Sequence, residues 1–149
     1  MQKILLATNG KESAKKAEDY AINFAAENRL PLTIIYVRDS IWHRFSEEVD
    51  WLSTHRARKD FQKYMEEYTD ADEAALFSRL EKILTEKGIS FEMTALSGNP
   101  ADEIVRYAKE NGFELIIIGE KEKKGFARIF KSTSERISKT AKCRVLALK

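Results

Sequence analysis

Little in this sequence invites redox or metal chemistry. It holds one cysteine, Cys143, and two histidines, His43 and His55. A lone cysteine closes no internal disulfide, so the fold must stand on packing, and such usage suits a reducing compartment. The histidines have no cysteine beside them, and on one continuous helix a spacing of twelve would set them about 18 Å apart, too far to share a metal ion. Gly-x-Ser-x-Gly, Cys-x-x-Cys and His-Glu-x-x-His patterns are all missing, which removes the common signatures of nucleophile elbows, redox pairs and zinc proteases. Charge of one sign is missing too: 26 basic residues face 24 acidic ones, for a formal net charge of +2. Nucleic-acid binders carry a more lopsided balance, so that partner is not expected. No apolar run approaches the roughly 18 residues of a membrane span. The opening apolar stretch stops at Gly10, short of a signal peptide. A cytoplasmic protein without a membrane partner is the expectation.

What is present describes one globular domain. The 149 residues are 43% hydrophobic and 34% charged, enough to bury a core under a well-solvated surface. Five short apolar runs recur: Lys3 to Ala7, Leu32 to Val37, Phe91 to Leu96, Leu115 to Ile118 and Arg144 to Leu148. The second and fourth are almost continuously apolar and β-branched, as strands covered on both faces require. Between them lie helical stripes. Ala14, Ala17, Ala21, Phe24 and Ala25 form the first, with Ser13 placed to cap it; Leu76, Phe77, Leu80, Ile83 and Leu84 form another, ended by Gly88. Ala101, Ile104, Val105 and Ala108 follow Pro100, with Asp102 and Glu103 in the first turn and Gly112 after the last. A final helix is expected from about Ser132 to Ala141. The alternation predicts an α/β doubly wound domain over residues 1–149, a five-stranded parallel sheet in the order 3-2-1-4-5 with helices on both faces. A stretch of about residues 38–72 breaks the pattern. Its amphipathic faces and both tryptophans, Trp42 and Trp51, fit an extra helical segment packing on its own domain, or alternatively a lid or partner surface.

In such sheets ligands sit beyond the carboxyl ends of the strands. The exit of the fourth run, from Gly119 to Ser134, is the most informative of these segments. Gly119 permits close approach to backbone, and Ser132, Thr133 and Ser134 would suit a phosphate at a helix start. Five basic residues against two acidic ones make this loop positive. A solvated loop with a Ser cap explains the same features.

Four pieces in this order resemble the universal stress protein family: Ile4 to Gly10; Gly98-Asn99-Pro100 with Ile104 and Ala108; Glu114 to Gly119; and Ser132 to Ile137 leading to Cys143-Arg144-Val145-Leu146. The resemblance implies an adenine nucleotide alpha hydrolase-like fold and a homodimer through the final strand. It also implies one of two branches, ATP-binding or non-binding. Ala7, Thr8, Val37 and Gly98 match the family's adenosine contacts, and Asn9 stands where an aspartate is usual. The binding branch's phosphate loop, Gly-x-x-Gly then Gly-Ser or Gly-Thr, keeps Gly119 but has Glu122 at its second glycine. Lys131 precedes Ser132 where the last glycine belongs, and the loop is one residue short. The nucleotide-binding candidates are therefore Ala7, Thr8, Asn9, Val37, Gly98, Gly119, Lys131, Ser132, Thr133 and Ser134. The leading expectation is a non-catalytic stress or regulatory module with a degenerate nucleotide pocket and no required cofactor. The rival is an ATP- or AMP-binding switch in which Lys121, Lys123, Lys124 and Lys131 replace the glycine amides. Slow ATP hydrolysis stands third, for want of a base or a Walker-type metal ligand.

Overall fold

A computed structural model describes residues 2–39, 72–120 and 133–149. Strand β1 (Ile4–Ala7) leads through a 3-10 turn (Glu12–Ala14) into α1 (Lys15–Asn28) and β2 (Leu32–Asp39). Helix α2 (residues 72–86) precedes β3 (Phe91–Gly98), α3 (Pro100–Glu110), β4 (Leu115–Gly119), α4 (Thr133–Thr140) and β5 (Arg144–Leu148). The five strands form one sheet in the order β3-β2-β1-β4-β5, with every neighbouring pair parallel. This is the topology expected from the apolar runs.

Central strands are apolar on both sides because both sides are covered. Ile4 and Leu6 of β1 join Leu32 and Ile34 of β2 under α1 and α2, whose Ala17, Ala21, Leu80 and Leu84 are almost wholly buried. Leu5, Ile35, Ile116 and Ile118 point the other way, onto Ala101, Ile104 and Ala108 of α3 and Ile137 of α4. Full burial of each Leu or Ile contributes about 1.5–3 kcal/mol, which makes the sheet the fixed frame for the loops at its end.

Helix boundaries follow local chemistry. Pro100 occupies the first position of α3, and the Asn99 side chain caps it by accepting from the Asp102 amide. Gly88 and Gly112 take left-handed backbone angles just past α2 and α3, as expected of C-terminal stops. Ser13, in contrast, does not cap α1. The 3-10 turn runs straight into the helix, so its carbonyls replace a side-chain cap: the Lys15 amide donates to the Glu12 carbonyl, and the Ala14 amide to that of Lys11. The expected segment of about residues 38–72, with Trp42, Trp51, His43 and His55, lies outside the described residues except at its ends. There Arg38 and Asp39 finish β2, and residue 72 opens α2.

Candidate functional site

Strand order reverses at β1: the chain leaves it toward β2 on one side and returns through β4 on the other. Beyond their carboxyl ends lies the crevice where ligands of doubly wound sheets bind. Ala7 pairs with Ile35 of β2 and with Ile118 of β4. Thr8, Asn9 and Gly119 therefore stand at one level across the sheet. The ladder between β2 and β3 continues past them through Val37, paired with Leu96, to Asp39, paired with Gly98. Val37 and Gly98 thus form a wall beside the crevice rather than its floor. The expected candidates Ala7, Thr8, Asn9, Val37, Gly98 and Gly119 are brought to one end of the sheet. Thr133 and Ser134 join them at the start of α4, the first half-buried and the second 3% exposed. Lys131 and Ser132 lie outside the described residues, as do Glu122 and the other loop lysines.

The polar groups at this end are largely occupied by the protein itself. Thr8 is buried; its amide donates to the Ile35 carbonyl, and its hydroxyl donates to Glu18 Oε1 at 2.6 Å while accepting the Gly10 amide at 3.0 Å. Asn9 Oδ1 accepts the Lys11 amide at 2.9 Å and closes an Asx turn. Gly119 is required by packing. A Cβ there would lie 2.2 Å from the Ser13 carbonyl oxygen and 2.8 Å from Ala14 Cα. The close approach that this glycine permits is taken by the chain's own turn after β1. At Gly98, with φ of +141°, a Cβ would meet the Glu103 side chain at 3.0 Å. Glu103 in turn pairs with Arg106.

Two residues that sequence reasoning did not single out, Glu18 and Arg79, organise this end. Glu18 is 2% exposed on the sheet-facing side of α1, and Arg79 of α2 reaches both of its carboxylate oxygens, at 3.2 and 2.9 Å. The signal was available: Glu18 falls between Ala14, Ala17, Ala21 and Ile22, a charge inside an apolar stripe. Buried carboxylates need a partner, and this one has three donor contacts. A second pair, Arg38 with Glu73, joins the end of β2 to the start of α2 at 2.6 Å.

Among the described residues, no cluster of His, Cys, Asp and Glu could hold a metal ion. Cys143 is half-buried against the α3–α4 face, and burial pushes its thiol upward from the ordinary range, away from the reactive thiolate. No described helix is long and apolar enough to cross a membrane.

Comparison with known proteins places this geometry. Residues 1–149 match the model of the Universal stress protein family. A universal stress protein of Methanocaldococcus jannaschii is 31% identical over 150 aligned residues, covering 99% of this chain and 82% of that protein. The crystal structure of a universal stress protein in complex with cAMP superimposes with a TM-score of 0.70 at 19% identity, over 99% of this chain and 95% of that one. The universal stress protein from Archaeoglobus fulgidus in complex with dAMP gives 0.64 at 19% identity, over 100% and 98%. The parallel order, the crevice at the end of β1 and the whole-chain match agree: this chain belongs to the universal stress protein family.

Proposed function

We propose that this protein is a non-catalytic stress-response module of the cytoplasm whose crevice takes adenine nucleotides weakly, monophosphates no worse than triphosphates. One observation carries this reading. The crevice between β1 and β4 has the family's fold and the glycine at the end of β4, but the sequence that follows carries Glu122 and Lys131 at two glycine positions of the phosphate loop. Glycine lets backbone amides close on phosphate, whereas Glu122 adds a like charge near a triphosphate. The relatives crystallised with cAMP and dAMP carry a single phosphate, which lends support to a site that does not depend on a full triphosphate cradle. The same family membership supports a homodimer paired through β5.

Titration calorimetry tests the nucleotide reading. Mg-ATP should bind with a Kd on the order of 100 μM or poorer, about −5.5 kcal/mol or less favourable, and AMP at least as well. Glu122→Gly with Lys131→Gly should tighten ATP. The second reading, an ATP switch with a lysine clamp, is favoured by Lys121, Lys123, Lys124 and Lys131 in the loop. It predicts low-micromolar ATP affinity that Lys131→Gly abolishes, and that result would replace the reading given first.

A further inference from the structure

We propose that Glu18 is a positioning residue of the nucleotide crevice, acting through Thr8 on the turn that carries Asn9 and Gly10; its effect on ligand affinity rests on the reading above, its effect on the turn does not. Both Glu18 oxygens accept from Arg79, and the Thr8 hydroxyl donates to Oε1 at 2.6 Å, so its proton points at Glu18 and its lone pairs are left for acceptance. One of them takes the Gly10 amide. The chain Arg79, Glu18, Thr8, Gly10 therefore runs from α2 into the backbone of the turn, with its donors converging on Glu18: Arg79 and Thr8 both donate to the carboxylate, and the Gly10 amide donates to Thr8. Charge-assisted bonds of this kind are the stronger class, and among the described residues no buried side-chain polar atom lacks a partner.

Helix α2 grips the same turn a second time. Leu76, one turn before Arg79, lies against Gly10 so closely that a Cβ there would be 3.3 Å from its Cδ1. On the opposite side the turn's continuation, Ser13 and Ala14, rests on Gly119. The turn after β1 is thus held between α2 and the end of β4. Glu18 is the only ionisable group among these contacts that is buried on α1. Thr8, 6% exposed with its proton committed inward, serves the crevice by shaping this turn rather than by donating to a ligand.

The experiment uses the full chain and three variants, Glu18→Leu, Glu18→Gln and Thr8→Val. Hydrogen exchange of the Gly10 amide is followed by NMR against core amides such as Ile117, and AMP affinity by calorimetry. Glu18→Leu keeps the helix face apolar but removes the acceptor; it should speed Gly10 exchange roughly tenfold with Ile117 unchanged, and weaken AMP roughly tenfold. Glu18→Gln retains an acceptor for Thr8 and should recover most of both losses. Thr8→Val should match Glu18→Leu, and combining the two should add little, because both cut one chain. A Gly10 amide that exchanges at the wild-type rate in Glu18→Leu overturns the proposal, as does equal acceleration at Gly10 and Ile117, which marks global destabilisation. If the wild type binds no AMP, the nucleotide reading fails, and the exchange data alone decide the role of Glu18.

Discussion

Replacing Gly119 with alanine is expected to cost about 3 kcal/mol, which lowers the midpoint of thermal unfolding by roughly 10 °C in a chain of this size. The added methyl would lie 2.2 Å from the Ser13 oxygen and 2.9 Å from its carbonyl carbon. These are backbone atoms of the turn that starts α1, so no side-chain rotation relieves the clash; the turn or β4 must move. Gly119 is not among the glycines in the left-handed region, so the loss would be steric. Gly112→Ala is the matched control. It has nothing within 4 Å of its Cβ position but a φ of +68°, and backbone strain alone should cost about 1 kcal/mol. Urea unfolding of both variants checks the pair. A Gly119→Ala protein within about 0.5 kcal/mol of wild type would show that the contact with Ser13 is loose.

The same contact explains what could and could not be read from the sequence. Strand positions were legible because Ile34, Ile35, Ile116 and Ile117 must be apolar on both faces, and that pattern is written residue by residue. The ends were less so. Polar Arg38 and Asp39 continue β2, and Ser97 and Gly98 continue β3, because these two strands pair with each other beyond the end of β1. Pairing there needs only backbone groups, which leave no mark on composition. At the site, the sequence identifies Thr8, Asn9 and Gly119 as residues at strand ends but not what they touch. That Asn9 closes its own turn, that Thr8 gives its proton to Glu18, and that Gly119 receives Ser13 all depend on elements distant in the chain. Glu18 was recognisable as a charge in an apolar stripe, yet its partner Arg79 is 61 residues away and on another helix.

The proposed homodimer through β5 predicts a dimeric wild type and a monomeric Leu146→Lys variant in sedimentation velocity. Among the described residues, strand β5 is the last in the sheet order and pairs on one side only, with β4. Its Val145, Leu146, Ala147 and Leu148 are each only half-buried, an apolar edge of the kind that natural proteins cover or blunt. A two-fold contact between two such edges would satisfy both copies at once. Leu146→Lys alone is ambiguous, because Leu146 also packs against the core on the α1 side, so lost dimer could follow from a loosened strand. The backbone supplies a cleaner variant. The Arg144 amide donates to Glu114 and the Leu148 carbonyl accepts from Glu120, so Arg144, Leu146 and Leu148 turn their backbone groups toward β4. In a parallel ladder alternate residues face opposite neighbours; Val145 and Ala147 therefore turn theirs outward. Ala147→Pro removes one outward donor and no bond to β4, a substitution that edge strands tolerate. Both variants should sediment as monomers, with Ala147→Pro keeping a melting temperature within a few degrees of wild type at matched low concentration. Dimers that persist in both would move the interface away from β5. A wild type that stays monomeric at high concentration would end the case for this dimer.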